Sequence, residues 1–167
     1  TDELVESACR EIIEQTAMRR SVLIFAAGVE HGRHIERVMR EKFGVAAETV
    51  FGDTPGPERD RVLSDFKSGK LKYLVNVNVL TTGFDAPNID CVAMVRPTLS
   101  PGLYYQMVGR GFRLHENKEN CLVLDFGGNV LRHGPVDAVR VLKPKPNAAT
   151  DEAPAKQCPE CRSVIAA

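Results

Sequence analysis

Two kinds of hydrophobic pattern alternate along the chain. Apolar runs predict strands at residues 21–28, 45–50, 72–77, 90–95 and 121–126. Apolar residues at helical spacing predict helices at residues 4–18, 35–43, 57–66 and 101–108. Pro57 suits the first helical position and Ser68-Gly69 suits a helix end. Strands that alternate with helices are typical of an α/β fold with a mostly parallel central sheet flanked by helices.

The composition fits one globular domain of ordinary size with a short appendage. The chain has 167 residues, 43% of them hydrophobic, and 22 Lys and Arg balance 22 Asp and Glu. A formal net charge of zero argues against a wholly basic domain of the histone or ribosomal kind, so a polyanion site has to be a local patch. No run of about 18 apolar residues is present, which argues against a transmembrane helix.

The cysteines and the chain ends indicate the cellular context. Cys9, Cys91 and Cys121 occur singly in apolar or helical contexts, which predicts buried free thiols. An odd total of five cysteines without a disulfide-like framework indicates a reducing, cytoplasmic compartment. The chain starts at Thr1 without a signal peptide, and both of its ends are expected to be boundaries within a longer protein.

The composition changes after Val141. Residues 1–142 are predicted to form the main domain, residues 143–157 a flexible linker, and residues 158–167 the start of a cysteine-rich element. Cys158 and Cys161 have the spacing of a zinc knuckle, but a full zinc ribbon needs a second pair, so the predicted metal site is incomplete. A redox Cys-x-x-Cys pair is the alternative, although no helix clearly follows it.

A polar loop follows the predicted strand at residues 72–77. Thr81, Thr82, Gly83 and Asp85 place two hydroxyls, a glycine and a carboxylate there, and ligands bind parallel sheets where strands end. Hydroxyls and glycine amides bind phosphate, and a carboxylate accepts hydrogen bonds from a ribose. Alternatively, the same side chains satisfy local backbone groups.

The segment QMVGRGFR, residues 106–113, is a second concentration of unusual polar residues, which we also expect to lie where a strand ends. Arg110 and Arg113 lie on one face if the segment is helical or turn-like, and the arginine fork suits phosphate oxygens. Gly109 and Gly111 argue against an ordinary solvated helix, because glycine costs about 1 kcal/mol relative to alanine in a helix, and they indicate a turn or a close backbone approach. A surface helix with solvated or carboxylate-paired arginines is the alternative.

A third polar segment, GPERDRVLSDF at residues 56–66, follows the predicted strand at residues 45–50. Val62, Leu63 and Phe66 form its predicted core face. Arg59 and Arg61 are interpreted as solvated or salt-bridged side chains and not as functional ones.

Four segments, in their order and spacing, resemble the C-terminal RecA-like lobe (lobe 2, a P-loop NTPase-like fold) of superfamily 2 helicases. SVLIFAAGVEHGRHIERVM looks like the motif IV region, GPERDRVLSDFKSGKLKYLV like the segment before motif V, NVLTTGFDAP like motif V, and QMVGRGFR like motif VI. The resemblance covers about residues 22–126. GFDAP, YYQMVGRGFR and LVLDFGGNVLRHGPV look closest to the type III restriction and RadD-like branch of the DEAD/DEAH-box helicases, in which a cysteine-rich element follows the core.

The resemblance implies that ATP and Mg²⁺ bind between this lobe and a first lobe, which carries the phosphate loop and the DEAD/DEAH carboxylates. It makes Arg113 the arginine finger on the γ-phosphate and places Arg110 on the terminal phosphate or its water network. Such arginines are worth about 10³–10⁵ in rate. The other nucleotide-binding candidates are Gly83, Asp85 (on the ribose), Gln106 and Gly109, and the nucleic-acid-binding candidates are Gly28, Val29, Thr81 and Thr82.

The resemblance also implies a DNA partner, as a single strand or a fork, in preference to RNA. DEAD-box RNA helicases usually have Arg at the position of Thr82, Thr-Asp near Val77 and Asn78, and Gln at Gly56. Phosphate contacts carry little sequence information, so binding is expected to be sequence-tolerant and salt-sensitive. Neither a membrane partner nor an obligate oligomer is expected, so the chain should be a monomer.

The implied function is one lobe of an ATP-dependent DNA helicase or translocase in DNA repair, with possible Zn²⁺ in the longer protein. Two alternatives stay open. One is the duplex-tracking translocase lobe of a restriction or remodelling enzyme, and the other is a non-catalytic nucleic-acid-binding module of the same fold.

The chain alone is expected not to hydrolyse ATP. Its 167 residues contain neither G-x-x-x-x-G-K-[ST] nor D-E-A-[DH], so half of the implied site is absent. Phosphate release should stay at the buffer level with or without nucleic acid, and adding the protein's own first lobe should restore nucleic-acid-stimulated hydrolysis. Appreciable turnover by the chain alone would contradict the two-lobe interpretation.

Overall fold

The computed structural model describes residues 2–79 and 84–138, together with two short strands at residues 155–157 and 164–166. The helices are α1 (Asp2–Gln15), α2 (Val29–Glu41), α3 (Gly56–Ser68), α4 (Pro101–Gly109) and α5 (Asn129–His133), followed by a 3₁₀ turn at Val136–Ala138. The strands are β1 (Val22–Phe25), β2 (Ala47–Val50), β3 (Tyr73–Asn76), β4 (Cys91–Met94), β5 (Leu122–Asp125), β6 (Ala155–Gln157) and β7 (Val164–Ala166). The predicted strands and helices of the main domain are all present, although α2 begins six residues before the predicted segment and ends before Phe43.

The first five strands form one parallel sheet in the order β2-β3-β1-β4-β5. Val22 of β1 lies opposite Tyr73 of β3 on one side and Cys91 of β4 on the other. All four residues of β1, β3 and β4 are buried, as expected for strands covered on both faces. The predicted α/β fold with a parallel central sheet flanked by helices is therefore confirmed.

Side chains of alternating strand positions supply two separate cores. One core lies under α3 and α4 and includes Leu23, Phe66, Val92 and Tyr104. The other core lies under α1 and α2. Its members include Cys9, Ile12, Ile24, Ile35, Val75 and Ala93. The sheet is thus the middle of three layers, and the arginine-bearing segment after α4 lies on the α3–α4 face.

Glycines determine two local features of this packing. A Cβ built at Gly32, inside α2, would lie 2.7 Å from Val77 Cγ2 and 3.0 Å from Thr49 Cγ2, so α2 approaches the sheet closely at this point. Gly69 follows α3 with φ of +83°, a left-handed conformation that glycine adopts without strain. This agrees with the helix end predicted at Ser68-Gly69.

The helix α5 and the turn after β5 have no counterpart in the hydrophobic pattern. The Asp125 carboxylate accepts hydrogen bonds from Gly127 N at 3.1 Å, Val130 N at 2.7 Å and Asn129 Nδ2 at 3.0 Å. Asn129 is fully buried and also accepts from Thr98 N at 2.8 Å. A five-residue helix has too few apolar positions to show a period, so this polar network is what holds it in place.

The strands β6 and β7 pair in an antiparallel manner, with Ala155 opposite Ala166. They flank the Cys-x-x-Cys pair in sequence. Cys158 and Cys161 lie outside the described residues, as does most of the predicted linker at 143–157. The zinc and redox interpretations of this pair therefore stay predictions.

The cysteines of the main domain are free thiols, and Cys9 and Cys91 are buried while Cys121 is half-buried. Burial raises the pKa of Cys9 to about 11, of Cys91 to about 12 and of Cys121 to about 11. All three thiols are consequently protonated at neutral pH. In this uncharged form they act as small apolar side chains. In the described part of the chain, no helix has the length and apolar character needed to span a bilayer.

We expect Gly32→Val to destabilise the domain by about 1–3 kcal/mol, because the added side chain overlaps Val77 and Thr49. The free energy of unfolding in urea measures the effect. Gly52→Val is the matched control, since no described atom lies within 4 Å of a Cβ built at Gly52. Equal free energies of unfolding for the two variants would contradict the close packing of α2.

Candidate functional site

The arginine turn, defined here as residues 109–113, forms where α4 ends. Ser100 caps the start of α4: its Oγ accepts a hydrogen bond from Leu103 N at 3.2 Å. Tyr104, Met107 and Val108 bury one side of α4 against the sheet. After the helix, Gly111 N donates to Val108 O at 2.9 Å and Phe112 N to Gly109 O at 3.2 Å. The turn therefore leaves a well-anchored helix in a tight, hydrogen-bonded conformation.

The position of the arginine turn differs from the prediction. Both polar segments were expected at the ends of strands, but a Cβ built at Gly111 would lie 2.2 Å from Cys121 Sγ and 3.2 Å from Val92 Cγ2. Val92 and Cys121 lie near the beginnings of β4 and β5, so the turn does too. The reason is that α4 starts after the end of β4 and runs back across the sheet before the turn forms.

The two glycines of the turn have different environments. Gly111 is buried, and its lack of a side chain permits the close approach to Cys121. No described atom lies within 4 Å of a Cβ built at Gly109. The predicted close backbone approach is therefore found at Gly111, whereas Gly109 has open space beside it.

Arg110 joins the arginine turn to the segment that follows the polar loop. Its Nη1 donates to Phe84 O at 2.8 Å, and the guanidinium is half-buried. Burial lowers the pKa of Arg110, the charge of Arg113 lowers it further, and the charge of Asp85 opposes both effects. An arginine stays charged despite such shifts, so a positive charge is held at a partly desolvated position.

Arg113 pairs with Asp85 across 28 residues of sequence: its Nη1 donates to Asp85 Oδ1. The side chains are 45% and 62% exposed. Exposed ion pairs contribute about 0–1 kcal/mol, so a stronger anion can separate this one at little cost. The fold thus brings together Arg113, assigned from the sequence to the γ-phosphate, and Asp85, assigned to the ribose.

Lys118 is a further contact of the arginine turn and has no counterpart among the predicted site residues. Its Nζ donates to Gly111 O and to Arg113 O, each at 2.6 Å, and lies 3.4 Å from Pro87 O. Every residue carries a backbone carbonyl, so a residue pattern cannot show which carbonyls bind a lysine. The only sequence signal for this contact was a single lysine five residues after Arg113.

A second polar region lies at the opposite ends of the strands. Gly28 precedes α2 in an extended conformation and makes no side-chain cap, and Val29 is the first helical residue. His31 Nδ1 accepts from Ala27 N at 3.2 Å, and burial lowers the pKa of His31, which favours the neutral ring that this acceptor role requires. The first N–H groups of this 13-residue helix have no partner within the helix, and no described side chain caps them.

On the same edge, Asn78 adopts φ of +58° just after β3. Its side-chain oxygen accepts from Nη1 of Arg96, a residue that follows β4.

The remaining predicted site residues fall on α4 and in the polar loop. Gln106 is exposed on α4. Thr81, Thr82 and Gly83 lie outside the described residues, so their assigned roles stay predictions.

The arginines of α3 have structural partners, as interpreted from the sequence. Arg61 pairs with Glu48 at 2.9 Å and with Asp65 at 3.4 Å. Arg59 donates to Gly52 O at 2.8 Å and to Thr54 O at 3.0 Å, which secures the loop before the helix.

One family model matches the part of the chain that contains both the sheet and the arginine turn. A family model described as "Helicase conserved C-terminal domain" matches residues 3–115, which include most of the sheet, α4 and the arginine turn. The chain belongs to this helicase family. The resemblance to the C-terminal RecA-like lobe of superfamily 2 helicases is therefore confirmed.

Individual relatives support the assignment of the helicase lobe. The "Putative mitochondrial ATP-dependent helicase irc3" of Schizosaccharomyces pombe is 46% identical over 123 residues, which are 74% of this chain and 20% of that protein. The helicase lobe thus spans about a fifth of the length of this relative.

Solved structures share the fold of the helicase lobe. "Mss116p DEAD-box helicase domain 2 bound to an RNA duplex" superposes with a TM-score of 0.62 at 22% identity, covering 74% of this chain and 50% of that one. The helicase Lhr of Mycobacterium smegmatis, bound to single-stranded DNA and AMP-PNP, gives a TM-score of 0.58 at 23% identity, covering 71% and 16%. At these identities the similarity establishes the fold alone.

We expect Gly111→Ala to destabilise the helicase lobe by about 1–3 kcal/mol, because the new methyl group overlaps Cys121 Sγ. Unfolding in urea measures this loss, and Cys121→Ala in the same chain should recover most of it. Gly109→Ala is the matched control and should be neutral or stabilising by up to about 1 kcal/mol. Two variants of equal stability would show that the turn does not pack against Cys121.

Proposed function

We propose that this chain is the second lobe of an ATP-dependent DNA helicase or translocase of the RadD-like branch that acts in DNA repair. Its arginine turn would form one wall of the ATP site, and the edge of the sheet near Gly28 would hold the nucleic-acid backbone. The observation that carries the proposal is the exposed grouping of Arg113, Asp85 and the partly buried Arg110.

The residues present fit a nucleoside triphosphate. Two guanidinium groups on one short turn can bind phosphate oxygens through charge-assisted hydrogen bonds, and Asp85 can accept a hydrogen bond from a ribose hydroxyl. The Mg²⁺ ligands are assigned to the first lobe. Within the described residues, no group of three or more His, Cys, Asp or Glu side chains is placed to hold a metal ion.

In this mechanism the arginine turn stabilises charge and does not transfer a proton. Bound ATP supplies the phosphoryl group that is transferred. Arg113 would leave the weak pair with Asp85 and neutralise negative charge that develops on the phosphoryl oxygens. Arg110 would add a second positive charge from its position against Phe84 O.

The nucleic-acid side of the proposal rests on the opposite edge of the sheet. A helix start with unpaired N–H groups, at Gly28 and Val29, favours a phosphate. The departures from DEAD-box RNA helicases at Gly56, Asn78 and Thr82 support DNA as the partner. The superposed structures hold RNA in one case and single-stranded DNA in the other, so RNA is an explicit outcome of the test.

In the full-length protein, we expect Arg113→Ala to lower nucleic-acid-stimulated ATP turnover by about 10³–10⁵-fold, because the charge on the transferred group loses its arginine. Nucleic-acid affinity should change little. The measurements are phosphate release and fluorescence anisotropy with forked DNA and with RNA of the same sequence.

Arg40→Ala is the control, because Arg40 is an exposed arginine of α2 paired with Glu36 at 3.0 Å. It should retain full turnover. Intact turnover in the Arg113→Ala variant would leave the arginine turn as a structural feature only. Stimulation by RNA alone would overturn the assignment to DNA, and translocation without strand separation on the fork would favour the duplex-tracking alternative.

A further inference from the structure

The ammonium group of Lys118 donates hydrogen bonds to backbone carbonyl oxygens. The distances from Nζ are 2.6 Å to Gly111 O, 2.6 Å to Arg113 O and 3.4 Å to Pro87 O. An ammonium group has three donors, and here each of them has an oxygen to which it can be directed. A backbone hydrogen bond, from Lys118 N to His115 O at 3.1 Å, also holds the lysine within its own loop.

The surroundings of Lys118 differ from those of an ordinary surface lysine. The side chain is part-buried, and burial lowers the pKa of Lys118. Among the described residues, no carboxylate lies within 4.0 Å of its Nζ, whereas Lys42 and Lys70 both have one. Hydrogen bonds from a charged donor are roughly twice as strong as neutral ones, so the two short contacts are the main restraints on Lys118.

The three carbonyls belong to the two segments that form the candidate nucleotide site. Gly111 and Arg113 are in the arginine turn, and Pro87 lies two residues after Asp85. Side chains already join these segments through Arg110 and Phe84 O, and through Arg113 and Asp85. Lys118 adds a link that uses the backbone and therefore persists when Arg113 leaves Asp85 for a phosphate.

We propose that Lys118 is a positioning residue for the arginine finger, a role that rests on the proposed ATPase function. The carbonyl that it holds is that of Arg113 itself, so the ammonium group restrains the backbone from which the guanidinium extends. A displacement of about 1 Å in a catalytic group costs up to roughly 10²-fold in rate. Loss of Lys118 should therefore slow the chemical step without weakening nucleotide or nucleic-acid binding.

The test compares variants of the full-length protein. Lys118→Met keeps the length of the side chain and removes its charge and donors, and kcat for stimulated ATP hydrolysis should fall by about 10–10²-fold. KM for ATP and the affinity for forked DNA should stay within about threefold of the wild-type values. Lys118→Arg, which restores charge and donors, should recover most of kcat.

Lys70→Met is the matched control. Lys70 is exposed, and its Nζ lies 3.9 Å from Asp65. It should retain wild-type kcat. Hydrogen exchange of the full-length protein supplies a second measurement: Lys118→Met should accelerate exchange at residues 109–113, and Lys70→Met should not. Should Lys118→Met fail to fold, Lys118→Gln replaces it with the same expectations.

Each outcome supports or overturns the role of Lys118. A folded Lys118→Met protein with kcat within twofold of wild type, or with a rise in KM alone, overturns it. Equal loss of kcat in Lys118→Met and Lys118→Arg also overturns it. If the wild-type protein hydrolyses ATP and Arg113→Ala abolishes this, a failure at Lys118 concerns only the present inference. If wild type shows no stimulated hydrolysis, the proposed function itself fails.

Discussion

The complete burial of β1 is the constraint on which the rest of the structure depends. This strand is hydrogen-bonded to β3 on one side and to β4 on the other, and all four of its residues are buried. A parallel strand in that position needs apolar side chains on both faces and connections that cross above or below the sheet. Helices α1 and α2 therefore cover one face and α3 and α4 the other, and the return path of α4 places the arginine turn near the beginnings of β4 and β5.

The parts of the fold that depend on apolar pattern were predictable from the sequence, whereas contacts made by polar groups were not. The buried strands and the glycine end of α3 follow from side-chain type alone. Helix α5 escaped prediction because Asp125 and Asn129 hold it through hydrogen bonds with no periodic signature. The location of the arginine turn escaped because it depends on the direction of α4 and not on the order of motifs.

The candidate site shows the same division. Arg110, Arg113 and Asp85 were named from the sequence, but their mutual arrangement was not, since the ion pair joins positions 28 residues apart. Lys118 was missed for a different reason: its acceptors are main-chain oxygens, which every residue carries. Two kinds of contact thus occur in one turn. The exposed side chain of Arg113 pairs with Asp85, and the carbonyl oxygen of Arg113 accepts a hydrogen bond from Lys118.

The shortness of the strands has a mechanical consequence. Each strand of the parallel sheet has four residues, so the first and last residues of β4 are separated by only about 10 Å at about 3.3 Å per residue. The sheet is short and rigid, with the arginine turn near one of its edges and the start of α2 at the opposite edge. A force applied at either edge is expected to rotate the whole sheet as a rigid body, because close-packed cores on both faces resist bending.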